Sequence, residues 1–365
     1  MKRKNKKTFF AKINKGLIHF YNSLEFPFSP SRKIIRKQKA NLKNNSNNYW
    51  VKDLLRTNQI MKKFYKRSEL IVNNFEQIYA FTFKSRDGLN LSGFTYEVNP
   101  NSNKWVIACH WFSGHKNWAL HHSIIFTKMG YNVMVFDFRG HGYSDNFSTT
   151  LGMKEENDLM GAVDWLKENR KIDSLALMGT SMGGFVVNFA SLRYAKEFEK
   201  LNLKFIISDS TYVSVYSLIL HTKNIYLKFL SKKRIKQIAN KVIDKNNKYE
   251  DAFDFYDVNI LKTIDKMKNP VFFPTLFFHS IDDKVTAVSD TYELIIKRKF
   301  QEDDHLIFNY CMHTQCMRIH FKIMNYKIAE FILKFNKDKT LFDKVVSDWE
   351  LLVFDKKDIN SIKLK

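Results

Sequence analysis

Cysteine, proline and glycine are all scarce in this chain, and each scarcity closes off a class of protein. There are three cysteines, Cys109, Cys311 and Cys316, an odd number with no CxxC pair. A disulfide framework and a thiolate zinc site are therefore not expected, and a reducing cytoplasm is the expected compartment. Five prolines and 12 glycines in 365 residues leave no room for collagen-like or Pro/Gly-rich low-complexity sequence. Long apolar runs are also missing. The longest uncharged stretch, 174–192, holds three glycines and several polar residues, so it reads as a strand, a sharp turn and a buried helix, not as a membrane span. The start resembles the charged region of a signal peptide, but Lys12, Asn14, Lys15, His19 and Glu25 interrupt the stretch where an apolar run would be needed, and no export signal is expected.

Acidic residues are almost absent from one region. Residues 1–67 carry 19 Lys/Arg against only Glu25 and Asp53, so the net charge of +23 is mostly an N-terminal property. Within 1–67, Phe9, Ile13, Leu17, Phe20 and Leu24 recur at three- and four-residue intervals beside Lys6, Lys7, Lys12 and Lys15. That pattern predicts an amphipathic helix that either lies on an anionic membrane, which would make the protein peripheral at the inner face of the cell membrane, or packs its apolar residues on the main domain with the charge a matter of composition. No RNA-binding signature accompanies the charge, and specific nucleic-acid binding is not expected.

Apolar residues, by contrast, are plentiful: 44% of the chain is hydrophobic and 15% aromatic, with 33 Phe. One large domain with extensions is the expected organisation. A basic arm takes up 1–72 and includes a polar linker at 41–48. From 73 to 336, short apolar runs alternate with helix-length stretches. Segments 77–83 and 89–97 flank a turn at Arg86-Asp87-Gly88 and predict an antiparallel hairpin. Segments 104–109, 131–137, 174–179, 204–208 and 271–279 are continuously apolar, as strands buried on both faces are. Helices are expected at 117–129, 154–169, 183–196, 287–298 and 319–335. The implied fold class is α/β, a mostly parallel, doubly wound sheet entered through an antiparallel hairpin. Residues 211–268 interrupt the rhythm with a helical pattern at Ile235, Ile238, Ala239 and Val242, and have the size of a cap or lid. Here nine basic residues stand between 223 and 248 against Asp244 alone. The tail, 337–365, carries no recognisable pattern.

The strongest chemical signal is Gly179-Thr180-Ser181-Met182-Gly183-Gly184, a Gly-x-Ser-x-Gly between an apolar strand and an apolar helix. A serine on such a strand-to-helix turn is exposed for attack, and the glycines let neighbouring backbone come close. A serine hydroxyl is a weak nucleophile and needs a base, itself oriented by a third group. Downstream, Asp282-Asp283 follows an apolar strand, and His313 follows the apolar run 306–310. The chain order Ser, Asp, His results.

Together, His110-Trp111-Phe112, Asp137-Phe138-Arg139-Gly140-His141-Gly142-Tyr143-Ser144, the turn around Ser181, His279-Ser280-Ile281-Asp282-Asp283 and His313 make residues 75–336 resemble the alpha/beta-hydrolase superfamily, in particular its bacterial serine esterase, lipase and peptidase-like members. The resemblance implies Ser181 as nucleophile, Asp283 as acid, His313 as base, and an oxyanion hole from the backbone N–H groups of Phe112 and Met182. Trp111 and Ser280 stand where the family commonly carries glycine. The same resemblance gives His110, His115, His141 and His279 the role of orienting loops. His320 lies inside a predicted helix and reads as a solvated or packing residue. No metal is expected, since adjacent His121 and His122 lack helical ligand spacing. No nucleotide cofactor is expected either, because 139–142 lacks the spacing of a phosphate loop. The implied activity is hydrolysis of a small-molecule acyl ester through an acyl-enzyme. The alternatives are a peptidase or thioesterase with the same residues, or a catalytically silent protein bound to membrane or nucleic acid.

Overall fold

The computed structural model describes residues 49–353 apart from 227–228, 249 and 251. Its frame is one eight-stranded sheet in the order β1-β2-β4-β3-β5-β6-β7-β8. After helix α1 (Tyr49–Ile60), β1 (Ile78–Lys84) and β2 (Asn90–Tyr96) form the expected hairpin, and β2 runs antiparallel to β4 as well. The remaining pairs are parallel: β3 (Lys104–Cys109), β4 (Asn132–Phe136), β5 (Ser174–Thr180), β6 (Leu203–Asp209), β7 (Thr275–Ser280) and β8 (Asp304–Phe308). The connections run through α2 (Lys116–His122), α3 (Ile124–Lys128), α4 (Glu155–Asn169), α5 (Met182–Arg193), α6 (Ala195–Lys200), α7 (Val215–Tyr226), α8 (Lys232–Asn247), α9 (Ile260–Lys266) and α10 (Val288–Arg298). After β8 come α11 (Cys316–Ile319), α12 (Phe321–Asn336) and α13 (Lys339–Asp348).

The continuous apolar runs have a simple cause, since successive side chains point to opposite faces and both faces are covered. Trp105, Ile107, Met134, Phe136, Leu175 and Leu177 join one core with α4, α5 and the cap. Val106, Ala108, Val133, Val135, Ala176 and Met178 join the other with α1, α2, α3 and α12. Because β3 leads to β4 on one side while β5 pairs on the other, the chain reverses its winding between β3 and β5. A crevice opens beyond the carboxyl ends of the strands at such a reversal.

Four sequence expectations change. The arm does not extend as a unit to residue 72: Trp50, Leu54, Met61, Tyr65, Leu70 and Val72 are buried in the second core. Burying an apolar side chain of this size contributes about 1.5–3 kcal/mol, which makes 49–72 part of the folded body. The predicted amphipathic segment 9–24 lies outside the described residues. In the tail, α13 buries Phe342 and Val345, and Trp349 and Leu351 follow it into the same core. The helix expected at 117–129 is broken at Ser123, whose hydroxyl donates to the Leu120 carbonyl and competes with helix continuation. The strand expected from 271 starts only at Thr275, because Pro270 and Pro274 cannot donate to a ladder. In the cap, α8 buries Ile235, Ile238, Ala239, Val242 and Ile243 on one face and exposes Lys232, Lys233, Arg234, Lys236 and Lys241 on the other.

Candidate active site

Ser181 sits between β5 and α5 with φ +55° and ψ −113°, a backbone conformation rare for a residue with a side chain. Its N–H is held by the Asp209 carbonyl at 2.8 Å. What keeps the turn this tight is the absence of side chains. A Cβ on Gly179 would lie 2.2 Å from the Gly183 carbonyl oxygen, and one on Gly183 would lie 2.3 Å from that of Cys109. The strain is therefore maintained by close backbone contact on both sides.

The Ser181 Oγ lies 2.8 Å from His313 Nε2, and His313 Nδ1 lies 2.7 Å from Asp283 Oδ2. The His313 side chain is 17% exposed and that of Asp283 fully buried, so solvent reaches the imidazole but not the carboxylate behind it. Burial pushes the Asp283 carboxyl up, but the bond to His313 and the neighbouring imidazoles outweigh it and hold the group below its ordinary range. Its other oxygen accepts the N–H groups of Val285 and Thr286 at 2.8 and 3.0 Å. Asp282 is used differently: it accepts the Tyr310 N–H at 2.6 Å, tying the loop after β7 to the loop after β8.

Met182 directly follows Ser181, and Phe112 lies in the loop after β3, the strand paired with β5. Met182 opens α5, so its N–H has no acceptor one turn earlier. No hydrogen bond of the Phe112 N–H is found among the described residues. The loop is pinned from outside. His141 Nε2 accepts the Ser113 N–H at 3.0 Å while its Nδ1–H donates to the Arg139 carbonyl at 2.9 Å. Likewise His110 Nε2 accepts the Phe138 N–H at 3.0 Å and its Nδ1–H donates to the Trp111 carbonyl at 2.7 Å. Each ring needs one bare and one protonated nitrogen, and burial favours this neutral form, lowering the pKa of His141 and bringing that of His110 to about 3. At the loop's far end Asp137 accepts the Lys116 N–H at 2.7 Å, the Lys116 ammonium at 2.6 Å and the Tyr143 N–H at 2.9 Å. The Trp111 side chain, in the family's glycine position, stacks near Trp118 and His122, 5.3 and 5.4 Å between ring centroids.

The remaining histidines fall into place around this frame. His279 is buried between Thr291 Oγ1 at 2.7 Å and the Thr286 carbonyl at 3.2 Å. His320 is buried and stacks on Phe308 at 4.5 Å, a packing residue. His121 lies 2.8 Å from Asn58 Oδ1 and His122 lies 3.2 Å from the Tyr65 hydroxyl. Among the described residues no three His, Cys, Asp or Glu are grouped as metal ligands, and no helix is long and apolar enough to cross a membrane.

Two residues escaped the sequence reading. The Thr286 hydroxyl lies 2.9 Å from Asp283 Oδ2, 3.0 Å from the Ser210 carbonyl and 3.3 Å from His313 Nδ1, bracing the carboxylate and the imidazole together. Only its place three residues after the acid could have pointed to it. Asp209 ends β6 beside the serine, fully buried; its carboxyl is pushed up to about 7 by desolvation, although a bond from Ser210 opposes this. On the cap side, a cavity of about 290 Å3 lies between α7, α8 and the start of α10, and His221 at its edge donates from Nε2 to the Asp283 carbonyl at 2.9 Å.

Comparison with known proteins agrees with this fold. The model of the family described as serine aminopeptidase, S33, matches residues 100–254. An esterase of Pyrococcus furiosus superposes over 71% of this chain and 93% of its own, with a TM-score of 0.55 at 22% identity. These likenesses show that the chain has an alpha/beta-hydrolase fold. By sequence it is similar to the uncharacterized protein YqkD of Bacillus subtilis (strain 168), 27% identical over 244 residues that cover 66% of this chain and 75% of that protein. A further fold relative is Est1E of Butyrivibrio proteoclasticus, solved with ferulic acid bound. It has a TM-score of 0.50 at 18% identity, over 69% of this chain and 98% of that one.

Proposed function

We propose that this protein is a serine hydrolase that cleaves a carboxylic ester through an acyl-enzyme. The observation that carries the reading is the unbroken line from Ser181 Oγ through His313 to Asp283, at 2.8 and 2.7 Å, on a strained strand-to-helix turn. In this reading His313 takes the Ser181 proton as the hydroxyl attacks the ester carbonyl, and Asp283 fixes the tautomer and stabilises the imidazolium. The N–H groups of Met182 and Phe112 receive the developing oxyanion, each contributing about 3 kcal/mol to the transition state. His313 then protonates the leaving alcohol and activates the water that releases the acid.

A fluorophosphonate probe tests the assignment. It should label wild type once, at Ser181, and Ser181→Ala should abolish both labelling and turnover; labelling that survives the substitution refutes it. A panel of acyl esters of graded chain length, with matching amides and thioesters, separates esterase from the second reading, a peptidase or thioesterase. That second reading is favoured by the aminopeptidase description of the family matching 100–254. The exposed basic face of α8 supports a further proposal, that the substrate ester is met at an anionic membrane. Salt-sensitive sedimentation with anionic but not neutral vesicles is expected, and equal pelleting with both would exclude it.

A further inference from the structure

Two of the three cysteines bracket the proposed base. Cys311 precedes His313 by two residues and Cys316 follows it by three, and their sulfurs lie 2.9 Å apart, both free thiols. This is well inside the non-bonded contact distance of two sulfurs. A disulfide requires about 2.05 Å, so less than an ångström of closure separates the two states. We propose that Cys311 and Cys316 form a reversible disulfide that closes the loop carrying His313 and lowers turnover while it is closed. The inference rests on the triad reading above for its effect on activity, though not for the bond itself.

The surroundings distinguish the two thiols. Cys311 lies between Tyr310 and Met312, which are 72% and 65% exposed, so a small oxidant needs only a local opening of a surface loop to reach it. Its thiol is lowered chiefly by the hydrogen bond with Cys316, against burial, with help from His320 and Ser280. The thiol of Cys316 is raised by burial. Flanked by the exposed Tyr310 and Met312, Cys311 is the attacking thiolate and Cys316, at 0% exposure, the resolving thiol. With a hydroperoxide as oxidant, the Cys311 thiolate attacks one peroxide oxygen, the O–O bond breaks, and hydroxide or alkoxide leaves. The resulting sulfenic acid loses water as Cys316 sulfur displaces its oxygen. Overall, two thiols and one hydroperoxide give one disulfide, one water and one water or alcohol. In a reducing compartment such bonds are transient and regulatory, not structural. Drawing 311 and 316 together moves the backbone on both sides of an imidazole that must hold two short hydrogen bonds. Displacements of this size cost on the order of a hundredfold in rate.

The test uses the full chain treated with hydrogen peroxide and then with dithiothreitol. The peptide carrying both cysteines should lose the mass of two hydrogens and resist alkylation after denaturation, while Cys109 still alkylates. The rate of Ser181 labelling by fluorophosphonate should fall by about tenfold to a hundredfold and return with dithiothreitol, which sets it apart from oxidation of Met312. Cys311→Ser, checked for an unchanged thermal midpoint, should show no reversible loss; Cys311→Ala serves if the serine variant unfolds. Both thiols alkylating normally after peroxide overturns the proposal, as does a disulfide that leaves labelling unchanged. If reduced wild type is never labelled, the hydrolase reading fails and the mass measurement alone decides the bond.

Discussion

Two loops face each other across the crevice at the carboxyl ends of β3 and β5, and they hold their backbones in opposite ways. The turn around Ser181 is fixed by what is missing: without side chains at Gly179 and Gly183, backbone packs directly on backbone. The loop from His110 to Lys116 is rich in large side chains, and hydrogen bonds from His110, His141 and Asp137 fix it. The first method leaves a local mark in the sequence. The second depends on partners some 20 to 30 residues away, so the sequence displays the residues without their pairing. Sterically fixed turns should fail as a whole when disturbed, whereas braced loops should fail by degrees.

Gly183→Val should have the largest effect. Its branched side chain would meet the Cys109 carbonyl, and a destabilisation above about 4 kcal/mol is expected, read as loss of the cooperative thermal transition. A normally folded, fully labelled Gly183→Val would break the comparison at its first term.

Next comes the brace behind His313, the proposed base. Asp283→Asn should lower turnover by about 10,000-fold while leaving the fold intact, because the imidazole loses its tautomer control. Asp282→Asn, which touches only the Tyr310 N–H, should cost less than about tenfold. Reversed magnitudes in parallel kinetics would shift the acid by one residue.

The brace on the loop after β3, which carries the proposed oxyanion donor, is graded. His141→Leu removes the acceptor of the Ser113 N–H and should lower kcat by about tenfold to a hundredfold with little change in KM. His141→Gln, whose carbonyl oxygen can reach the same N–H, should recover most of the loss. Equal defects in both variants would mean that bulk, not the hydrogen bond, holds the loop.

The last effect, read in stability alone, concerns Asp209. Its folded pKa of about 7 lies above the ordinary 3.8, so between those values the native state keeps a proton that the unfolded state releases. Stability therefore falls as pH rises through that window. Asp209→Asn should remove the fall, raising the thermal midpoint by up to about 7 °C more at pH 8 than at pH 4. A uniform shift at both pH values would show that the carboxyl does not titrate in the fold.

Much of the frame was legible because its causes are local. Continuous apolar runs at 104–109 and 174–179 mark strands covered on both faces, and the alternation at Ile235, Ile238, Ala239 and Val242 marks α8. Ser181, His313 and the pair Asp282-Asp283 stand out by chain order and position after strands, and the family resemblance selects Asp283 from the pair. The packing of Trp50 and Leu54 could not, since the lysines around them dominate any local average and the surface they cover is supplied by β2, β4 and α2. The same holds for α13, a short segment whose apolar stripe acquires meaning only against α12. Thr286 was hidden for a related reason: a threonine in a loop has no signature until the carboxylate and imidazole it braces are side by side.

The Trp111 side chain points to the Trp118 and His122 rings, while its carbonyl is held by His110 and by the Gly114 N–H. Backbone position and side-chain identity are thereby uncoupled at residue 111. A designer can replace this indole with smaller groups without releasing the loop, because the anchors of its backbone belong to other residues. Laboratory evolution aimed at new substrates would find in Trp111 a position open to exploration, and in Asp137, whose one carboxylate secures three donors from two segments, a position closed to it.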